Sequence, residues 1–366
     1  MAIGAELASR PAPVQAAPDG VFGWLRRNLF NGPASTALTI VIGIVAVLVV
    51  PDLFAWAIAD SVWSTADPAR CREAAGACWA VIAEKHRVIL FGTYPYEQQW
   101  RGVLVVAIIV ALLLASSFRA LWSRWLIAAW LVATAAVLIV QRGGVLGLES
   151  VATTHWGGLP LTLLLFLGTV VVGTPLAIAL ALGRRSDLPI IKALSVTFIE
   201  VVRGVPLVNV LFAAALMFPL FMPESFNLDK LLRAQIGMII FYAAYTAEAV
   251  RGGLQAIPRG QYEAADALGV SYWSRTRWIV LPQALRIATA PLVNDIIRAF
   301  KNTSVLSVIG LFDILGGTMA ALEDPSWSRY YLEAYLFVAA LYFGFCFTMS
   351  QYSQKLERDA LLGRNY

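Results

Sequence analysis

Five polar side chains between Asn294 and Asn302 are the residues of this sequence best spaced to do chemistry together. On a helix advancing about 100° per residue, Lys301, Asn294, Arg298, Asn302 and Asp295 follow one another around an arc of about 120°. Leu292, Val293, Ile296, Ile297 and Phe300 fill the rest of the circumference. An acid and two bases on one face can match the ammonium and carboxylate of a zwitterion. The same charges can instead neutralise one another and pin neighbouring helices, and both readings stand at the level of sequence. Asn209, alone in an apolar run, either faces a pathway or bonds an adjacent helix. Glu248 reads as a snorkelling carboxylate or as a partner of Arg251, and Phe241, Tyr242 and Tyr245 read as packing.

Other chemistry is poorly supplied. His86 and His155 are the two histidines, and three cysteines are scattered, so no metal-ligand set is expected. Cys71 and Cys78 share a polar stretch, where an oxidising compartment would favour a disulfide. Two free thiols or buried small side chains are the alternative, because spacing does not close the geometry. No Lys is preceded by Gly, which removes the glycine-rich loop that cradles ATP phosphates. A nucleophile elbow and a spaced carboxylate pair are absent as well, and the chain is read as a non-enzyme.

The elements that must position these residues are set by composition. Of 366 residues, 59% are hydrophobic and 14% charged, which argues against a soluble domain. Charge-free runs at Gly102 to Phe118, Trp125 to Gln141, Trp156 to Gly183, Gly204 to Pro223 and Ala334 to Gln354 approach the roughly 20 residues that cross a bilayer as a helix. They do not alternate as outer-membrane strands would. The expected fold is an all-α polytopic membrane protein with about eight spans: 35–58, 102–118, 125–141, 158–182, 204–222, 235–250, 288–310 and 333–353. With the amino terminus inside, the inside segments hold 17 Lys and Arg, against four in the shorter outside connections. The net charge of +5 is therefore read as topology and not as nucleic-acid binding. The expected organisation is a cytoplasmic tail over 1–34, a three-helix extension over 35–150 with a long outer loop at 59–101, and a motif-rich part over 151–366.

That last part contains a long inside loop, 251–287. Pro258 suits the start of a helix and Gly269 its end, predicting about three turns over 259–268. Glu263, Ala264, Ala265, Gly269, Ile279, Leu281 and Pro282 fall in a fixed pattern that resembles the EAA motif of membrane subunits of bacterial ATP-binding-cassette importers. The resemblance implies that this helix docks into a groove on a cytoplasmic ATPase, with Ile279, Leu281 and Pro282 orienting the return to the membrane. An amphipathic helix lying on lipid headgroups is the alternative.

Phe198 to Phe212 resembles the Glu-x-x-Arg-Gly-Thr-Pro-Leu segment of permeases for polar amino acids, with Val205 in place of Thr and Asn209-Val210 in place of Val-Gln. Lys301-Asn302-Thr303-Ser304 resembles their Lys-Asp/Asn-Thr-Ser segment. Residues 155–355 carry the likeness, and the three preceding spans resemble the larger membrane subunit of general L-amino-acid importers of Gram-negative bacteria. The implied fold is a type I importer core of five helices, spans four to eight. The implied activity is L-amino-acid import across the inner membrane, with both termini cytoplasmic. The implied partners are an ATPase dimer that binds ATP and Mg, a second related permease forming a heterodimer, and a periplasmic binding protein. An ion-coupled transporter would share the charged span but would need no ATPase.

Overall fold

The computed structural model describes residues 20–65, 67–145, 147–223 and 228–361. The expected tail falls outside these up to residue 19, as do the last five residues. Sixteen α-helices follow in order among the described residues, with no strand. They are α1 (Val21–Asn28), α2 (Pro33–Phe54), α3 (Pro68–Glu73), α4 (Ala80–Phe91), α5 (Gln99–Ser117), α6 (Arg124–Arg142), α7 (Gly158–Arg184) and α8 (Pro189–Gly204). Then come α9 (Leu207–Phe212), α10 (Lys230–Gln255), α11 (Arg259–Ala267), α12 (Tyr272–Arg275), α13 (Leu281–Ile287), α14 (Thr289–Asn302), α15 (Ile314–Leu322) and α16 (Tyr331–Leu361). Two compact units divide the chain, residues 1–62 with 69–78 and residues 63–68 with 79–366. The boundary expected at 150 marks a change of motif content, and α5 and α6 belong to the larger unit.

In the smaller unit, α1 leaves Val21, Phe22 and Trp24 exposed and ends on Arg26 and Arg27. Part of the expected tail is thus helical. Pro33 opens α2, where its missing N–H costs nothing. Cys71 and Cys78 form a disulfide, Cα to Cα 5.5 Å. The Ala77 N–H donates to the Trp56 carbonyl at 2.7 Å and the Val62 N–H to the Ala77 carbonyl at 2.8 Å, which folds this segment back on the end of the α2 region. Gly76 lies so close to the Asp60 backbone that no β-carbon fits.

The larger unit is built on α7 packed along α10. Gly173, Ala177 and Ala181 recur every fourth residue on α7, and Ala243 and Ala247 answer them on α10. Such small residues let backbones approach where burial of oil against oil gives no drive. Around this pair, α5 and α6 pack on α7, α14 on α16, and α4 on α15. Most of the 59–101 loop is therefore helical, and Lys85 donates to Asp324 at 2.7 Å, holding that carboxyl below the usual range.

Five helical stretches are long and apolar enough to cross a membrane: Pro33–Ala59, Tyr96–Ser117, Arg124–Arg142, Gly158–Arg184 and Ser328–Arg358. A sixth is the bent pair Pro189–Gly204 and Leu207–Phe221, turned by 107°. This corrects the expected straight span at 204–222. Proline disfavours the helical region for the residue before it, and Val205 before Pro206 leaves that region at φ −111° and ψ 133°. The two remaining expected spans fall on α10, which carries charges near both ends, and on α14, which has 14 residues and continues as a 3-10 segment to Ile309.

Candidate functional site

The loop over 251–287 forms an exposed helix held at its base. Pro258 precedes α11, and Gly269 follows it with φ 67°. The Gly269 N–H donates to the Asp266 carbonyl and the Val270 N–H to the Ala265 carbonyl, both at 3.0 Å, which satisfies the last turn. No atom lies within 4 Å of a β-carbon built on Gly269, so its requirement for glycine is backbone sign and not space. Ala265 is buried against the base, whereas Glu263, Ala264 and Gly269 face outward. Leu268, Tyr272 and Trp273 are exposed beside them, at 82%, 50% and 75%. The sequence reading missed these three, although apolar residues next to the helix-ending glycine are their signal. Ile279 and Leu281 are half-buried and Pro282 is exposed.

Three ties set the angle of α11. Arg275 pairs with Asp266. Gln283 Nε2 donates to Gln261 Oε1 at 3.2 Å. Arg185 Nη1 donates to the Leu254 carbonyl at 2.8 Å and to Tyr262 Oη at 3.1 Å. Behind them, Gly253 of α10 meets the Ala284 backbone of α13 with no room for a β-carbon.

Above this base, Glu248 accepts from Arg184 at 2.7 Å and pairs with Arg251 at 2.6 Å, with Arg203 at 3.7 Å. Arg184 also reaches Glu200 at 2.9 Å. The expected Glu248–Arg251 pair is therefore one edge of a cluster joining the ends of α7, α8 and α10. A repeated signal announced it: Glu200-x-x-Arg203-Gly204 recurs as Glu248-x-x-Arg251-Gly252.

The polar arc of α14 is split by the packing. Asp295 is 5% exposed and paired with Arg298, while Asn294, Arg298 and Lys301 are exposed and Asn302 is half-buried. The Arg298 guanidinium lies 5.1 Å from the Tyr245 ring centre, so one of the aromatics read as packing also holds a cation. Lys301 opens on a groove of about 460 Å³ lined by Ser304, Tyr335, Tyr342 and Cys346. Asn209 lines another groove of about 460 Å³ with Val205, Arg233 and Gly237.

Residues 173–359 match the family described as binding-protein-dependent transport system inner membrane component. The chain is 42% identical over 362 residues to the inner membrane amino-acid ABC transporter permease protein YhdY of Escherichia coli (strain K12), covering 98% of each. It is 39% identical to the glutamate/glutamine/aspartate/asparagine transport system permease protein BztC of Rhodobacter capsulatus, covering 96% of each. Among solved structures, a crystal structure of an amino acid ABC transporter with histidines matches 54% of this chain and 89% of its own, at 30% identity and a TM-score of 0.48.

Proposed function

The chain belongs to the family of binding-protein-dependent transport system inner membrane components, and from that premise we propose that it translocates L-amino acids of polar or broad range, driven through α11 by a separate ATPase. It is a multi-pass inner-membrane permease subunit of an amino-acid importer and not itself an enzyme. The observation that carries the coupling role is the outward face of α11, where Glu263 and Ala264 stand beside exposed Leu268 and Trp273 on a base tied at three points. An apolar knob rimmed by charge suits a protein groove on a partner.

In this reading ATP and Mg²⁺ bind on an ATPase dimer below the membrane. A binding protein delivers substrate from the periplasm, and a second, related permease completes the pathway. Among the arc residues, Asn294, Arg298 and Lys301 are exposed, Asn302 is half-buried, and Asp295 is buried and paired with Arg298. Two outward cations favour substrates with a carboxylate to spare, which of the four amino acids in the Rhodobacter relative's name describes glutamate and aspartate.

Gentle purification of the tagged chain, with mass identification of what stays bound, is expected to return an ATPase and a second permease. Gly269→Val forces a β-branched residue into left-handed backbone at about 1–2 kcal/mol, and is expected to uncouple transport while insertion persists. Normal uptake by both Gly269→Val and Glu263→Arg would overturn the docking role, and uptake by the chain alone under an ion gradient would overturn the reading as a whole.

A further inference from the structure

We propose that Tyr262 is the joint through which α11 moves the membrane helices, a positioning residue whose role rests on the docking function assigned above. A docked helix does mechanical work only if its inner side is fixed to elements that enter the membrane. Two ties of α11, Asp266 to Arg275 and Gln261 to Gln283, end on the same loop and its return helix. Among the described residues, Tyr262 is the α11 side chain whose hydrogen bonds reach α7 and α10 together. Its hydroxyl accepts from Arg185, the residue capping α7, at 3.1 Å, and donates to the Leu254 carbonyl of α10 at 3.5 Å. Arg185 closes the triangle on the same carbonyl at 2.8 Å.

The ring is held as firmly as the hydroxyl. The guanidinium carbons of Arg185 and Arg275 lie 5.6 and 5.5 Å from its centre, and it packs on the buried cluster of Ala181, Leu254, Ile257 and Val280. Movement of α11 is thus passed to the residue next to Arg184, and Arg184 meets Glu248 and Glu200. Arg203, 3.7 Å from Glu248, lies 5.4 Å from the centre of the Tyr245 ring, against which Arg298 of α14 also rests. A string of charge and aromatic contacts therefore runs from the docking helix to the polar face of α14. Tyr262 is the link where cytoplasmic motion enters it.

The test uses the complete complex of permeases, ATPase and binding protein in vesicles, measuring amino acid taken up per ATP hydrolysed. Tyr262→Ala and Arg185→Met are expected to keep the ATPase bound and lower this ratio about tenfold, with Tyr262→Phe, which keeps the ring, losing about twofold. The double variant Tyr262→Ala with Arg185→Met is expected to be no worse than either single, because both remove one contact. An unchanged ratio in Tyr262→Ala, or additive losses in the double variant, overturns the joint. Should Tyr262→Ala fail to accumulate, Tyr262→Phe and Arg185→Met carry the same measurement, and unchanged ratios in both overturn it. Failure of the unaltered chain to bind an ATPase overturns the docking function itself, an outcome distinct from normal binding with an unchanged ratio.

Discussion

Asp313 shows how one residue sets a pH response. Its carboxylate caps α15, accepting from the Gly316 N–H at 2.9 Å and from the Tyr342 hydroxyl at 3.0 Å, and it is fully buried in the connection between α14 and α16. Burial pushes the carboxyl up to about 6. The folded chain then holds this proton more tightly than the unfolded one, so the contribution to stability is greatest below about pH 4 and declines as pH rises to about 6, by about 3 kcal/mol. Asp313→Asn keeps an acceptor for the cap and is expected to abolish that decline, read as thermal midpoints of the purified protein against pH. At Asp295 the expectation differs, because its partner Arg298 is already half exposed. Asp295→Asn should leave ordinary membrane levels and change which amino acids pass, as measured by uptake of acidic, neutral and basic substrates. Lost protein with an unchanged profile would make the pair purely structural.

Helix ends are where elements depend on one another. Glu248, 17% exposed, answers three arginines, and Glu200, 55% exposed, answers one. Glu248→Gln removes the shared partner of three half-buried guanidinium groups and is expected to cost about 1–3 kcal/mol, against less than about 1 kcal/mol for Glu200→Gln. Membrane abundance of the two variants, compared at equal expression, checks the order. Legibility followed the same division between local and distant causes. Helix α11 could be read because Pro258 and Gly269 punctuate it within the segment itself, and the structure ends it within a residue of the expected position. The bend at Val205 is hidden because Pro206 stands inside an uncharged, largely apolar run, and hydropathy alone does not separate a bent span from a straight one. Of the cluster on Glu248, the repeated Glu-x-x-Arg-Gly segments are a local signal, but the share of Arg184 has none, because it lies 64 residues away and only packing of α7 on α10 joins them. The split of the α14 arc was invisible for a like reason, since a helical wheel gives angles but not which edge the neighbours cover.

At the scale of the whole molecule, two sets of contacts divide the ends of the helices in the larger unit. Thr153, just before α7, donates to Asp229, the cap of α10, at 2.6 Å. At their other ends, Arg185 after α7 bonds Leu254 near the end of α10. The two helices therefore run side by side in the same direction, and α10, with 26 residues, is about 39 Å long. If α7 crosses the membrane, α10 crosses it as well, although its charges exclude it from a count made on hydropathy. The distinction is measurable, because each count of spans places the segments differently. With an inside amino terminus, five spans leave the carboxyl end outside. Six spans, with only the bent pair added, return that end inside but strand Arg277 outside. Eight spans put Arg124, Arg277 and the carboxyl end inside, with Pro68, Glu149 and Pro223 outside. Single cysteines introduced at these positions into a chain with Cys71, Cys78 and Cys346 replaced, and probed with an impermeant thiol reagent in intact cells, are expected to follow the eight-span pattern. Labelling at Arg277 from outside would separate α10 from α7 and overturn the docking role proposed for α11, by removing it from the compartment that holds ATP.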